Sequence, residues 1–382
     1  MKKLSLVLVG LMASFAIGIS TAPGQVMYSL TDLGVVEDMD SSAAAAINSQ
    51  GHVAGTAYKG EESCAFHYDY LKKIMEDAGG TNSRGFGINS LNMVVGDAFF
   101  PLPPGGIKVA INPSHAAVFQ NGVVQDLGVL PGQVSSRANG INAMGQVVGF
   151  SSLIRDSNNS RAFSWSNQTG MIDIGTLGGS YAQAYAINNA GLITGTAQTA
   201  AAIGTTHAFL YCPSCAGPAQ KRDLGVLGGN SSYGMAINDY NHVVGYSTIK
   251  ANDERVHAFL QDGIKMIDLG SLGGYGNPWG SDSSVALGVN NLDQVVGYTY
   301  LPATGGMPIQ QVGFLWVRGS NGKGQMTNLN TLLDVPGKNY LVFSATAIND
   351  NGKIAASTYE MGSGSVRAVL LTPESQLPPP PP

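Results

Sequence analysis

The chain has 382 residues, a formal net charge of -5 and 12% charged residues, about half the share usual in globular proteins. Acids outnumber bases 25 to 20, which excludes a surface of clustered cations for nucleic-acid phosphates. With 44% hydrophobic residues the chain has material for a core, so generic disorder is excluded, and its 51 glycines follow no collagen period.

The amino end carries Lys2 and Lys3, then an apolar run from Leu4 to Ile19, then Ser20, Thr21, Pro23 and Gly24. Such a run is too short to span a bilayer and reads as a secretory signal peptide over residues 1–24, cleaved after Ala22 or Gly24. The expected location is extracytoplasmic, secreted or periplasmic, with no membrane span after cleavage. Losing the two lysines leaves 18 bases against 25 acids, a charge of -7. At the far end, residues 373–382 form a Pro-rich tail in which five prolines follow Leu377. Polyproline cannot join a sheet, so the tail reads as disordered.

Between these ends, residues 25–372 repeat one unit. Its anchor is Ile-Asn, at Ile47-Asn48, Ile88-Asn89, Ile141-Asn142, Ile187-Asn188, Ile237-Asn238 and Ile348-Asn349, with Val289-Asn290 as the variant. The period of about 40 to 60 residues is that of a repeat architecture. Each copy holds four short β-rich segments: one ending in Ile-Asn, then strings such as QVVGF (146–150), HAFLY (207–211) and MIDLG (266–270). Four residues after each Ile stands Gly51, Asn92, Gly145, Gly191, Asn241, Asp293 or Gly352, the residue types that tolerate a left-handed backbone. That spacing predicts a hairpin with a type I turn closed by a left-handed residue. Asn121-Gly122 and Asp262-Gly263 predict tight primed hairpins between the third and fourth segments.

The first segment carries Ala or Gly immediately before each Ile and again two residues earlier, as in Ala44 and Ala46 or Ala138 and Gly140. A spacing of two puts both on one strand face and implies backbones crowded around an axis. The chain opens on a lone fourth segment near Ser29–Gly34 and ends on a third segment, Arg367–Leu371, so the ends are complementary. The expected fold is therefore all-β: a seven-bladed β-propeller of four-stranded blades, closed by the mature N-terminal strand pairing in the last blade. Another blade number or a β-solenoid is the runner-up.

The strings RAFSW (161–165), HAFLY, HAFLQ (257–261), MIDIGTLGG (171–179), MIDLGSLGG (266–274), INAMGQVVG (141–149) and INDYNHVVG (237–245) resemble the HAF-family extracellular repeat. The resemblance covers almost the whole mature chain and implies an exported bacterial-type repeat protein. It carries no catalytic residues across. The first copy departs at CAFHY (64–68) and MEDAGG (75–80), the last at NLNTLL (328–333) and RAVLL (367–371), and irregular blades are expected there.

His115, His207 and His257 share one repeat position with Arg161 and Arg367. Counting outward from Asp262-Gly263 sets His257 opposite Asp268, and His115 one diagonal from Asp126. A His-Asp pair is either catalytic or metal-binding chemistry, or a buried hydrogen-bonded tie. Its recurrence, with Arg replacing His, favours the tie. Cys212 and Cys215 form a lone Cys-x-x-Cys, read as a hairpin disulfide in an exported protein; Cys64 reads as a buried free thiol. Phe66, Phe163, Phe209, Phe259 and Phe314 read as packing between blades.

Loops after the second strand and between blades are expected on one face. Phe99, Phe100, Tyr275, Trp279 and Tyr300 are the aromatic candidates there for stacking on sugar or meeting a protein. Loop carboxylates, Asp97 and Asp282 among them, read as solubilising. No phosphate loop, metal motif, nucleophile elbow or cofactor signature is present. The expected function is non-enzymatic binding or scaffolding outside the cytoplasm, with a polysaccharide or extracellular protein as partner. The alternative is a propeller enzyme, a glycoside hydrolase or polysaccharide lyase, which would need two facing carboxylates.

Overall fold

The structure is a computed structural model describing residues 26–100, 113–153, 159–200, 205–217, 220–251, 253–273, 282–302, 309–319, 323–334 and 340–374. These residues form seven four-stranded antiparallel sheets, each with its strands in sequential order but for the last. The protein is a seven-bladed β-propeller. Blade 3 shows the pattern: Ser135–Ile141 innermost, then Val147–Ser152, Arg161–Ser166 and the outermost Gly170–Asp173. Its second strand is buried at every residue, because neighbouring blades cover both faces; its outermost strand is largely exposed.

Ring closure follows the complementary ends. Tyr28–Asp32 is the outermost strand of blade 7 and pairs antiparallel with Val366–Pro373, Leu30 facing Leu371. The Leu33 N–H then donates to the Ala368 carbonyl at 3.0 Å. Blade 6 departs from its siblings where the string NLNTLL predicted it, with a 3-10 turn at Leu329–Thr331.

Apolar side chains fill the gaps between blades. One cluster joins Val95, Val118 and Leu127 of blade 2 to Val147, Phe163 and Trp165 of blade 3. The five stripe phenylalanines have no solvent exposure, as expected of packing residues.

The innermost strands differ from the sequence expectation in one respect. In every blade a β-bulge lies between the two small residues, for example between Ala44 and Ala46 and between Ala138 and Gly140. Ala44 pairs with Gly55 while Ala46 pairs with its neighbour Ala54, so the small pair lies on opposite sheet faces, not on one. Crowding is nonetheless real. A methyl on Gly288 would meet the Cα of Ala347 in the next blade at 2.9 Å. The bulge also explains the Val-Val-Gly of the second strand. A methyl on Gly149 would run into the Arg137 carbonyl, and the same clash recurs at Gly55, Gly96, Gly195, Gly245 and Gly297.

The axial ends of the blades are held by the repeated asparagine. In each turn its backbone and side chain shape the hairpin: Asn142 Oδ1 accepts from the N–H groups of Met144 and Gln146 at 3.1 and 3.0 Å. Its Nδ2 donates to the backbone carbonyl of the equivalent asparagine one blade on. Asn48 reaches Asn89, Asn89 reaches Asn142, then Asn188, Asn238, Asn290 and Asn349 follow, and Asn349 returns to Asn48. All seven bonds measure 3.0–3.2 Å. The turn-closing residues Asn92, Asn241 and Asp293 have positive φ, as the spacing predicted.

Asn188→Ala removes a donor to both Asn238 O and Asn241 Oδ1 and the acceptor for Leu192 N–H. It is expected to cost about 2–3 kcal/mol, read as a lower midpoint in denaturant unfolding with the slope unchanged.

Candidate functional site

Because each innermost strand ends at the asparagine ring, that ring marks one face, called here the Asn face. Second strands run away from it, so the loops after them and the blade connections lie on the opposite, loop face. The Asn-face mouth is a depression of about 250 Å³ lined by the Ile-Asn pairs and the residue after each. Those following residues form a partial second ring. Asn189 N–H donates to Asp239, Asp239 N–H to Asn291, and Asn291 N–H to Asp350, at 3.0, 2.9 and 2.8 Å. This mouth repeats one chemistry and closes the ring.

The other end of the innermost strands breaks the repeat. One rung beyond the bulge, the cross-strand pair is Ala43–Thr56, Arg84–Asp97, Arg137–Phe150, Gln183–Thr196, Tyr233–Tyr246, Val285–Tyr298 or Ser344–Ser357. No two are alike. Arg84 holds Asp97 in a two-pronged bond at 2.9 and 2.6 Å, and Arg137 approaches the same carboxylate from blade 3 at 3.4 Å. Phe86 lies beneath both guanidinium groups, at 5.3 and 4.9 Å, and Phe150 beneath Arg137 at 5.3 Å. Asp97 is 1% exposed, so it is a buried, paired charge and not the solubilising loop residue expected from sequence.

Blades 4 to 6 present tyrosines instead. Tyr233 and Tyr246 stack at 4.6 Å, Tyr298 meets Tyr300 edge-on at 6.0 Å, and Tyr185 OH donates to Gln183 Oε1 at 2.7 Å. Burial, reinforced by neighbouring phenols, pushes the Tyr185 and Tyr246 hydroxyls far above the ordinary tyrosine range, so they act as neutral donors and acceptors.

Among the aromatic candidates, Tyr275 and Trp279 lie outside the described residues. Phe99, Phe100 and Tyr300 are half-buried, not exposed as expected. Phe100 stacks on His115 at 5.8 Å and packs into the blade 2 core. Phe99 and Phe100 belong to blade 2 and Tyr300 to blade 6, on separate parts of the wheel.

The His-Asp pairs form in three blades, at the surface and not buried as expected: Asp126, Asp223 and Asp268 are 37%, 43% and 46% exposed. Nδ1 of His115, His207 and His257 lies 2.8–3.1 Å from Asp126, Asp223 and Asp268. Arg161 replaces the imidazole against Asp173 in blade 3. Each of these aspartates also accepts the N–H of the glycine two residues on, so the motif fastens the outermost strand before it leaves the blade. The register at His257 is not the expected one. Asp268 pairs with Phe259, placing His257 on the diagonal. The cause is the turn: Gln261 pairs with Met266, so Asp262-Gly263 sits in a four-residue loop, whereas Asn121-Gly122 does form the two-residue hairpin with both φ positive.

His257 is singular in a second partner. Its Nε2 lies 3.3 Å from Asp282 Oδ1, which also accepts from Ser271 Oγ at 2.7 Å, while Arg255 sits 3.5 Å from Oδ2. Asp282, 3% exposed, is thus another buried link between blades 5 and 6, contrary to the solubilising reading. Burial alone would lower the His257 pKa, but the bonds and charges of Asp268 and Asp282 outweigh it and raise it. Asp268 resists burial through His257 and the Gly270 N–H, and its pKa is lowered.

Cys212 and Cys215 are disulfide-bonded within the blade 4 hairpin, and Cys64 is a buried free thiol pushed up to about 11 by burial and the nearby Asp77. Two features escaped sequence reading. His52 Nδ1 meets His67 Nε2 at 3.1 Å with the rings nearly parallel. Ser136 Oγ accepts from Ala116 N–H and donates to Gly128 O, joining blade 3 to blade 2; Ser42, Ser83, Ser232 and Ser284 repeat this clasp. In these five blades the serine stands five residues before the anchor Ile or Val, a spacing visible in the sequence.

A family model described as "Protein of unknown function (DUF3466)" matches residues 181–366, from blade 4 into blade 7. No curated protein sequence matches. Similar solved structures include TolB from Acinetobacter baumannii, at 10% identity, over 73% of this chain and 63% of that one, with a TM-score of 0.43. The match thus spans less than two thirds of the TolB chain. The β-propeller domain of the Trilobed protease from Pyrococcus furiosus aligns at 10% identity over 88% of this chain and 100% of that one, TM-score 0.47. A GH32 β-fructofuranosidase from Bombyx mori aligns at 10% identity over 92% and 91%, TM-score 0.29. These likenesses concern the backbone only.

His257→Ala is expected to lower the melting temperature most between the ordinary Asp and His values, 3.8 and 6.5. The raised His257 pKa contributes stability that is full below 6.5 and lost as pH rises through the raised value; the lowered Asp268 pKa contributes stability present above 3.8 and lost as pH falls. Melting curves of parent and variant across pH check this. Replacing Cys212 and Cys215 together by Ser is expected to cost about 2 kcal/mol or less, since the closed loop is short, measured by the same unfolding titration.

Proposed function

We propose that the chain is an exported, non-enzymatic binding propeller that takes an extracellular polysaccharide through its loop face. The observation carrying this is the unlike rung of side chains beside the axis. The fold demands the same asparagine in all seven blades at one mouth. At the other it leaves each blade free, and blades 2, 3, 5 and 6 fill the rung with Arg84, Arg137, Tyr233, Tyr246 and Tyr298, all but Tyr246 and Tyr298 from the innermost strand. Planar rings offer faces to sugar C–H groups, while guanidinium and neutral phenol groups offer hydrogen bonds to hydroxyls. An apolar segment at residues 4–19 after two lysines, and a disulfide at Cys212–Cys215, support residence outside the cytoplasm.

An enzyme reading would need a second carboxylate facing Asp97 across a site. Asp97 faces two guanidinium groups instead.

Glycan-array screening of the purified chain tests the proposal. Tyr233→Ala is expected to weaken the bound glycan about tenfold while Tyr233→Phe keeps most of the affinity, with both variants melting near the parent. Absence of any glycan ligand, or release of fragments from a polysaccharide by the parent chain, overturns it.

A further inference from the structure

The Asn face carries a second pattern, independent of the loop face. Three residues after the anchor Ile or Val, at the tips of four of the seven axial hairpins, stand Leu91, Met144, Tyr240 and Leu292, with 61%, 65%, 67% and 66% of their surface in solvent; the other three tips are Gln50, Ala190 and Asn351. Farther from the axis, the turns between third and outermost strands on the same face add Leu71, Val123 and Ile264, at 82%, 66% and 91%. Among the described large apolar side chains that are more than 60% exposed, all but Met361 lie on this face.

Their geometry is fixed by the ring. The N–H of each inner tip residue donates to the Oδ1 of its own turn asparagine: Leu91 to Asn89, Met144 to Asn142, Tyr240 to Asn238, Leu292 to Asn290, at 3.0–3.1 Å. Those asparagines are bonded blade to blade in a closed circle. The four tips therefore hold equivalent positions around the axis, which makes the array flat and stiff.

Each knob is also isolated. Leu91 lies between Ser90 and Asn92, and Leu292 between Asn291 and Asp293. A protein partner needs a continuous dry centre to its interface. Separate apolar knobs on a polar ground suit the boundary between headgroups and acyl chains, where the ground stays hydrated while the knobs are buried. The chain is net acidic, and the outer turns of this face carry exposed Lys73 and Lys265, with Lys72 between Asp69 and Glu76 and with Glu374 exposed at the edge of blade 7. The exposed acids of the axial turns, Asp239 and Asp350, sit near the centre. An apolar array with lysines among its outer turns fits an anionic lipid surface.

We propose that the Asn face docks on an anionic membrane surface, its hairpin tips entering the headgroup layer and its outer-turn lysines meeting lipid phosphate. The loop face would then point away from the membrane.

Flotation with phosphatidylcholine vesicles, with and without phosphatidylglycerol, tests this. The parent chain is expected to float with the mixed vesicles, less with phosphatidylcholine alone, and less as salt rises. Leu91→Asp combined with Leu292→Asp is expected to lower vesicle partition at least tenfold without moving the melting temperature, since both side chains are already in solvent. Parent and variant share residues 4–19, so any contribution of that segment cancels. A parent that does not float, or a variant that floats equally, overturns the proposal. So does a concentration-dependent dimer abolished by the same pair of substitutions, which would make the face a contact between copies. Glycan binding is read on the opposite face, so failure of either reading leaves the other standing.

Discussion

Seven asparagine side chains decide how this protein closes. Each uses its oxygen to shape its own hairpin and its nitrogen to grip the next blade's backbone. An amide side chain has both an acceptor and two donors, so it can do both at once; a carboxylate lacks the donor and a hydroxyl the reach. Each donor meets a carbonyl that would otherwise face a narrow axial mouth, so the bonds also satisfy buried backbone groups. Because the circle closes from Asn349 to Asn48, the spacing of every blade is tied to that of the others.

Drawing seven strands to one axis has consequences farther along each blade. Two and four residues before the asparagine the side chains shrink to Ala or Gly, and every innermost strand bulges just before it reaches the ring. The bulged carbonyl turns toward the second strand, which must then have glycine at that rung. Blade 7 places Ala356 there, and its innermost strand carries an additional register shift between Val342 and Ser344. Farther out, hydroxyls take over from amides. The serine clasps bond the third strand of the preceding blade, so a chain with few charges holds its blades together through neutral polar contacts and apolar packing.

Charged groups are used sparingly, and two buried carboxylates are each held by several partners. Asp97 is held by two arginines over phenylalanine rings, and Asp282 by His257, Ser271 and Arg255. A carboxylate out of water is costly unless donors meet its lone pairs. The two mark blade-specific joints in a framework otherwise repeated sevenfold. The two faces differ accordingly: one is dictated by closure and repeats its asparagine turn in every blade, the other carries whatever each blade adds.

Much of this was legible in the residues. The Ile-Asn anchors, the left-handed turn residues and the complementary ends are local or countable signals, so blade number, hairpin type and the closing strand followed from them. The His-Asp pairing was legible too, because residues near a hairpin are brought together by the turn itself. What sequence spacing could not supply was anything depending on an inserted residue or on another blade. The bulge moved Ala44 and Ala46 to opposite faces, and the longer loop at Asp262 moved the register at Asp268. Asp97 reads as a loop acid until Arg84 and Arg137 converge on it from two blades. The asparagine circle joins residues roughly 40 to 60 positions apart, with one closing bond spanning 301 positions. The sequence by itself determined which strands form and that they return on themselves, because turns and repeats act over short range. Only the tertiary structure decided which side chains meet, because those contacts exist once the blades stand radially around one axis.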